Sequence, residues 1–354
     1  MAEPQCIIGP DERILITGAF GFIGQRVVEG LLRRGWRRLR LFVRSSGPED
    51  LMARWRQLGG PEVELELVHG NLLSRPDCAR AGQGVALVYH LAAGRGEKSF
   101  PDAFMNSVVT TRNLIEGCLA QPGLRRFVNT STFSVYSNQN KPKGSVLDES
   151  CPMEPHPERR GDAYSFAKVK QDEIVMEYAK TRGLPYVLVR PGVVYGPGNK
   201  SFTGRVGVGT FGIFLHLGGS NLIPMTYVEN CADAIVLAGL APGVDGEVFN
   251  IVDDQPLTSR QFLRAYKRQV RKFRSLYVPK FISYHLCWLW EWYAHWSQGQ
   301  LPPTFNRLAW HAYWKKTRYS NQKIKQRLGW TQRVPTVEGL SQYFSSLREE
   351  KRHA

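Results

Sequence analysis

The sequence predicts an α/β fold, a doubly wound parallel sheet with a smaller, mostly helical C-terminal lobe. Three observations carry this expectation. Short apolar runs of strand length alternate with helical patterns in the first half of the chain, a glycine-rich turn follows the first run, and 354 residues suit one such core with a second lobe. With 42% hydrophobic and 22% charged residues the composition is globular, which excludes a disordered or fibrous chain. The expected division is 1–190 for the sheet-forming lobe and 191–354 for the other, with the two interleaved.

Residues 13–17, RILIT, read as the first strand, and Gly18, Gly21, Phe22, Ile23 and Gly24 then lead into a helical pattern over 25–34. Strand, glycine turn and helix in this order make a seat for a pyrophosphate. Backbone without Cβ can approach the phosphates closely, and the first N–H groups of the helix point at them. The expected fold is therefore Rossmann-type. The second strand, 39–43, ends at Arg44. An Asp or Glu there would grip a ribose 2′-hydroxyl, whereas a guanidinium meets a 2′-phosphate, so NADP(H) is favoured and NAD(H) stays as the alternative. A third strand, 63–68, leads to Asn71, and a fourth, 86–90, leads to Leu91, Ala92 and Ala93. Both loops leave the carboxyl edge of the sheet, where doubly wound folds bind their ligands. Further on, a strand over 126–129 precedes a helix running to residue 182 that carries Tyr164 and Lys168 four residues apart on one face. An ammonium beside a phenol stabilises the phenolate and lowers a pKa otherwise near about 10, which makes Tyr164 usable as an acid/base near neutral pH. The same lysine can hold ribose hydroxyls.

Six cysteines, at 6, 78, 118, 151, 231 and 287, form no Cys-x-x-Cys pair and no Cys/His cluster, so neither a metal site nor a disulfide framework is expected. Asp11, Glu12 and Arg13 precede the first strand, where a secretion signal would carry a basic flank and a long apolar core. A cytoplasmic setting with reduced thiols is expected. The net charge of +16 is unevenly placed: residues 1–254 hold 28 Lys/Arg against 27 Asp/Glu, and the last hundred hold 19 against 4. Such a surface suits an anionic partner, either nucleic acid or a membrane leaflet. No helix-turn-helix, zinc, RNP or OB signature accompanies the charge, so no nucleic acid is expected. The same region is rich in aromatics, with six of nine tryptophans between 288 and 314. The run 281–290 is too short to span hydrocarbon. Two readings stay open: a helix lying in the membrane interface between basic flanks (264–274 and 307–318), or a helix whose tryptophans pack inward.

In chain order the sequence holds TGAFGFIG (17–24), HLAA (90–93), NSVVTTRNL (106–114), FVNTSTFSVY (127–136), YSFAK (164–168), RPGVVYGPG (190–198), YVENCADA (227–234) and GEVFNI (246–251). With these motifs it resembles the extended short-chain dehydrogenases/reductases of the epimerase/dehydratase superfamily, from residue 13 to about 251. The resemblance implies hydride transfer between nicotinamide C4 and a carbinol or carbonyl carbon, with Tyr164 as acid/base and Lys168 beside it. It also implies that Thr132 orients the substrate oxygen, with Thr130, Ser131 and Ser134 as nearby competitors, and that Asn106 supports the lysine through water. Asn106 also reads as an N-cap before a helix over 107–118. Pro191 and Val194 pass near the nicotinamide by the same resemblance, completing an expected cofactor set of Gly18, Gly21, Phe22, Ile23, Gly24, Arg44, Asn71, Leu91, Ala92, Ala93, Tyr164, Lys168, Pro191 and Val194.

Many sugar-nucleotide members carry Arg-Asp just before the position of Tyr227, with the Arg close to a diphosphate; here residues 223–228 read IPMTYV and lack it. RYSNQKIKQRLGW (318–330) and VPTVEGL (334–340) are similar to the tail of the 3β-hydroxysteroid dehydrogenase-like branch, whose substrates are hydrophobic and whose members often sit on membranes. The expectation is an NAD(P)-dependent oxidoreductase that interconverts a secondary alcohol and a ketone on a sterol-like or lipid-linked substrate. A peripheral attachment to an anionic membrane and a homodimer through helices near 103–119 and 164–182 complete it. One alternative is a nucleotide-sugar epimerase or dehydratase, although Phe133 and Ser134 stand where a dehydratase would want an acid and a base. The other, a non-catalytic NADP-binding scaffold, would be marked by loss of Tyr164 or Lys168, and both are present.

Overall fold

The computed structural model describes residues 6–94, 99–200, 202–210, 212–297 and 305–352, so the outermost ends of the two expected lobes lie outside the described residues. The chain begins with β1 (Arg13–Thr17), α1 (Gly24–Leu32), β2 (Arg38–Val43), α2 (Glu49–Gly59), β3 (Glu64–His69), α3 (Arg75–Gly82) and β4 (Val85–His90). Next come α4 (Phe100–Phe104), a π-helical turn (Met105–Val109), α5 (Thr110–Leu119), β5 (Arg126–Thr130), β6 (Val146–Leu147), α6 (Ala163–Arg182), β7 (Tyr186–Pro191) and β8 (Val193–Tyr195). After β9 (Gly207–Thr210), β10 (Ile213–His216) and β11 (Met225–Tyr227), α7 (Val228–Leu240) and β12 (Val248–Ile251) return to the first sheet. The remainder is α8 (Ser259–Gln269), β13 (Ser275–Tyr277), α9 (Lys280–Trp296), α10 (Arg307–Trp314), β14 (Arg318–Tyr319), α11 (Gln322–Leu328) and α12 (Thr336–Arg352).

Seven strands form one parallel sheet in the order β3-β2-β1-β4-β5-β7-β12. The order reverses between β1 and β4, and a ligand crevice opens at such a point, beyond the carboxyl ends of the strands. Both faces of the central strands are covered, which is why β1 and β4 read as nearly continuous apolar runs. Ile14 and Ile16 of β1 face Val27, Val28 and Leu31 of α1 and Ile235 of α7, while Leu15 faces Leu114 and Ile115 of α5 and Val175 of α6. The C-terminal lobe has its own three-stranded sheet, β13-β10-β9, over a cluster that includes Phe262, Tyr343 and Phe344.

Two expectations change at this level. Asn106 is not an N-cap: it lies inside the π turn that joins α4 to α5, and the residue capping α5 is Val109. A π turn inserts one extra residue per turn and re-aims side chains, and it leaves no hydrophobic signature in the sequence. The two readings of the aromatic stretch divide between neighbouring helices. Trp310 and Trp314 of α10 are buried, whereas α9 buries only the small Ser283, Cys287 and Ala294 and turns Phe281, Leu286, Trp288, Trp292 and Trp296 outward. No described helix is long and apolar enough to cross a membrane.

Candidate active site

The crevice at the β1/β4 switch is a cavity of about 580 Å³. Its walls come from Gly18, Gly21, Phe22, Ile23 and Gly24 after β1, Arg44 after β2, Asn71 after β3, Leu91, Ala92 and Ala93 after β4, and Asn106 from the π turn. The glycines have local reasons. Gly18 has φ +71°, and a Cβ there would lie 3.0 Å from the Ala92 amide nitrogen; a Cβ on Gly24 would run into the Gly18 carbonyl oxygen. The loop therefore folds tightly against β4 and leaves backbone facing the cavity. Helix α1 starts there with no side-chain cap and no acidic residue in its first turn, so its positive end faces the same space. A dinucleotide phosphate fits this cradle on chemistry as well as shape.

Arg44 is exposed on the rim, one residue beyond β2. Phe20 stacks on Trp55, ring centroids 5.6 Å apart, and so fixes the adjoining wall. Thr110 and Thr130 also line the cavity, and neither stands in the expected cofactor set.

Tyr164 and Lys168 share helix α6, which Asp162 starts: one carboxylate oxygen accepts the Tyr164 amide at 3.1 Å and the other accepts the Ser165 hydroxyl. Tyr164 is 43% exposed, whereas Lys168, one turn on, is 4% exposed. The buried ammonium donates to the Thr130 carbonyl at 2.7 Å and to Gln171 Oε1 at 2.7 Å. Because Thr130 belongs to the cavity wall, Lys168 is anchored one residue behind the nucleotide space. Thr132 follows on the same loop and caps a short 3₁₀ turn; its hydroxyl accepts from the Ser134 amide at 3.3 Å. Below it, Asp172 takes the Ser131 hydroxyl at 2.7 Å and pairs with Arg190 at 3.0 Å, all buried, which fixes the loop to the sheet.

A hydrogen-bond chain runs inward from Lys168 that the sequence did not disclose. Gln171 Nε2 donates to Thr111 Oγ1 at 2.7 Å, and Thr111 spends its own proton on the Ser107 carbonyl at 2.6 Å. Thr111 can then only accept from His90, 2.9 Å away at Nε2, which assigns the ring proton to that nitrogen. His90 Nδ1 accepts from Thr17 Oγ1 at 2.8 Å, and Thr17 accepts the Ala92 amide at 3.2 Å. Burial, aided by the Lys168 charge, lowers the His90 pKa to about 3 and keeps the ring neutral. The lysine and the glycine-turn strand are thus joined by five side chains, of which the motifs TGAFGFIG, HLAA and NSVVTTRNL supply Thr17, His90 and Thr111.

Most of the expected cofactor residues, and Asn106, therefore meet at one cavity. Thr132 lies on the loop after β5, Tyr164 and Lys168 on α6, and Pro191 and Val194 on β7 and β8. Pro191 is buried at the end of β7, and Val194 is half-buried in β8.

Comparison with known proteins adds four findings. The profile of the NAD dependent epimerase/dehydratase family matches residues 14–251. The 3-beta-hydroxysteroid dehydrogenase of Mycolicibacterium neoaurum is 26% identical over 354 residues, covering 95% of this chain and 92% of that protein. The 2-alkyl-3-oxoalkanoate reductase of Stenotrophomonas maltophilia is 32% identical over 259 residues, covering 71% and 73%. Among solved structures, dTDP-glucose 4,6-dehydratase from Streptomyces venezuelae with NAD bound superimposes with a TM-score of 0.69 at 21% identity, covering 96% of this chain and 98% of that one, a likeness of fold.

Proposed function

The chain belongs to the NAD dependent epimerase/dehydratase family, the extended short-chain dehydrogenases/reductases, and is an NAD(P)-dependent oxidoreductase; from this premise we propose that it interconverts a secondary alcohol and a ketone on a hydrophobic, sterol-like or lipid-linked substrate, using NADP(H). The observation that carries the proposal is the Lys168 ammonium held to the Thr130 carbonyl, behind the wall of the nucleotide cavity and one turn from Tyr164. When bound, a nicotinamide cofactor would supply or take the hydride. Tyr164 gives the proton to the ketone oxygen in reduction and takes it back in oxidation, with Lys168 stabilising the phenolate. Thr132 donates its hydroxyl proton to the same oxygen, and Asn106 supports Lys168 from the π turn. Gly18, Gly21, Phe22, Ile23 and Gly24 receive the pyrophosphate, Asn71 and Leu91 to Ala93 flank the adenosine and ribose, and Pro191 and Val194 stand by the nicotinamide. Arg44 meets the 2′-phosphate.

Substrate class is supported by the missing Arg-Asp before Tyr227 and by the two relatives, whose names give a hydroxysteroid and an alkyl oxoalkanoate. We read the lobes as a dinucleotide-binding 1–190 that includes the catalytic helix and a substrate-binding 191–354 with a basic, Trp-rich C-terminal region, interleaved, and the exposed Phe104 and Met105 as part of a homodimer face on the helices near 103–119 and 164–182. Helix α9 attaches the protein peripherally to anionic membranes, its outward aromatics at headgroup depth between the basic flanks.

The test is NADPH oxidation with a 3-ketosteroid and with a 2-alkyl-3-oxoalkanoate, set beside UDP-glucuronate with NAD. Turnover of a hydrophobic ketone, falling about 10²–10⁴-fold in Tyr164→Phe with the fold intact, is expected. Turnover of the sugar nucleotide alone would overturn the substrate class, and undiminished turnover by Tyr164→Phe would overturn the mechanism.

A further inference from the structure

A second cavity, of about 270 Å³, lies in the C-terminal lobe between the β9 loop and α10. Its walls include Gly204, Val208, Phe305, Asn306, Tyr313 and Trp314. The polar side-chain groups among these are already engaged. Asn306 Oδ1 accepts the Ala309 amide at 2.7 Å, and its Nδ2 donates to the Arg160 carbonyl at 2.9 Å. The Tyr313 hydroxyl donates to Asp162 at 3.2 Å, and Trp314 Nε1 donates to the Gly204 carbonyl at 3.1 Å. What these residues offer to the cavity is therefore carbon and ring faces, a lining that holds apolar matter better than water.

The partners of those polar groups locate the cavity. Arg160 and Asp162 directly precede helix α6, and Asp162 also receives the Tyr164 amide. The wall residue Tyr313 is thus two hydrogen bonds from the backbone of the proton-transfer residue. On the other side Phe305 is 42% exposed and stands edge-on to Trp290 of α9, ring centroids 6.0 Å apart. One end of the cavity adjoins the start of the catalytic helix, and the other adjoins the helix whose aromatics face outward.

We propose that this cavity receives the apolar ring portion of the substrate, a unit of about two fused six-membered rings, which enters past Phe305 and places the oxygen-bearing end toward Tyr164. The size follows from volume: an apolar cavity of about 150 Å³ holds one benzene, and this one is nearly twice as large. Flat walls from Tyr313, Trp314 and Phe305 match rings through edge and face contacts. The inference rests on the hydrophobic-ketone reading above and adds where that substrate's body sits.

Gly204 offers a clean test, because a Cβ built there meets nothing within 4 Å and its φ is not in the left-handed region. Gly204→Leu should fill the cavity without strain, and Gly209→Leu, equally open but outside the lining, is the control. Binding of 2-naphthol to the full-length protein is measured by equilibrium dialysis, with thermal melting to verify folding. One saturable site is expected, at least tenfold weaker in Gly204→Leu and unchanged in Gly209→Leu. Phe305→Glu, at a half-exposed position that tolerates charge, should weaken binding likewise and covers the case in which Gly204→Leu fails to fold. Wild-type affinity in Gly204→Leu and Phe305→Glu, or no saturable site in the parent, would overturn the proposal. Reduction of cyclohexanone and of 2-decalone by NADPH separates the two readings. The preference for 2-decalone should vanish in Gly204→Leu; if neither ketone is reduced while naphthol binding still follows Gly204, the hydrophobic-ketone reading fails and with it the substrate role of the cavity, which is left as an apolar ring site only.

Discussion

Helices α1 and α9 both carry many apolar residues, yet they turn opposite sides to the protein. Helix α1 buries its bulky residues, Val27, Val28 and Leu31, against β1, and what it offers a ligand is the backbone at its first turn. Helix α9 buries Ser283, Cys287 and Ala294 and leaves Phe281 at 74%, Trp292 at 59% and Trp296 at 69% exposure. The charge follows the same divide, nearly balanced through residue 254 and strongly basic after it. One region has completed its core and presents backbone to a cavity through a tightly folded loop. The other ends in an uncovered apolar stripe beside cations, the surface that an anionic, apolar-cored phase would complete.

The largest expected effect belongs to the glycine turn. Gly24→Val puts branched carbon against the Gly18 carbonyl and the Ala19 backbone, neither of which can withdraw without moving β1. Isothermal titration with NADPH should show no measurable binding, while the α9 surface still attaches to vesicles. Loss of both together would mean that the two regions are not separable.

Phe281→Glu, Trp292→Glu and Trp296→Glu combined alter only exposed positions, so folding and NADPH affinity should persist. If each ring contributes roughly 1–2 kcal/mol at the interface, partitioning onto phosphatidylserine vesicles drops on the order of 10³-fold in a sedimentation assay. Added salt should weaken the parent's binding as well, through the basic flanks. Vesicle binding indifferent to all three substitutions and to salt would remove the membrane assignment.

The unequal legibility of the two regions has a physical origin. Strands β1 and β4 are readable because burial on both faces gives nearly unbroken apolar runs, and Gly18 and Gly24 are readable because only glycine tolerates their surroundings. The direction in which α9 faces is not, since bulky apolar residues occur around most of its circumference and the small residues it buries carry no strong signal. The π turn that moves Asn106 off a helix start depends on how α4 meets α6, where Phe100 packs edge-on against Phe166. The second cavity joins residues 204–208 to 305–314, and no local pattern connects them. The chain of Thr17, His90, Thr111, Gln171 and Lys168 likewise exists only once four elements have come together, although each member was visible in a motif or beside one.

Arg44 lies exposed on the cavity rim, so a contact between it and the 2′-phosphate of NADPH would be a charge-assisted bond screened by water. Arg44→Ala should weaken NADPH about tenfold, near the lower limit for such a bond, and leave NADH unchanged. Fluorescence titration with both nucleotides decides it; equal losses, or none, would return the cofactor preference to NAD(H).

The smallest effect concerns the buried link between the glycine turn and the lysine. His90 is neutral in the folded protein, with its pKa lowered to about 3 by burial and by the Lys168 charge, against about 6.5 in an unfolded chain. Between those two values the unfolded state holds a proton that the folded state lacks, so stability is complete above about pH 6.5 and declines as the pH falls toward 3. Asp253, buried under Tyr195 and Tyr227 with its pKa raised to about 6, acts with the opposite sign: it favours the folded state at low pH and loses that contribution as the pH rises through 6. A raw stability profile mixes the two, and comparison with His90→Gln isolates the first, because glutamine keeps one donor and one acceptor without a titrating proton. From pH 7 to 5.5 the parent should lose about 1 kcal/mol more than the variant in urea unfolding, one proton's share over that interval. Parallel profiles would mean that the ring is not held neutral, and the tautomer that joins Thr17 to Thr111 would have to be reassigned.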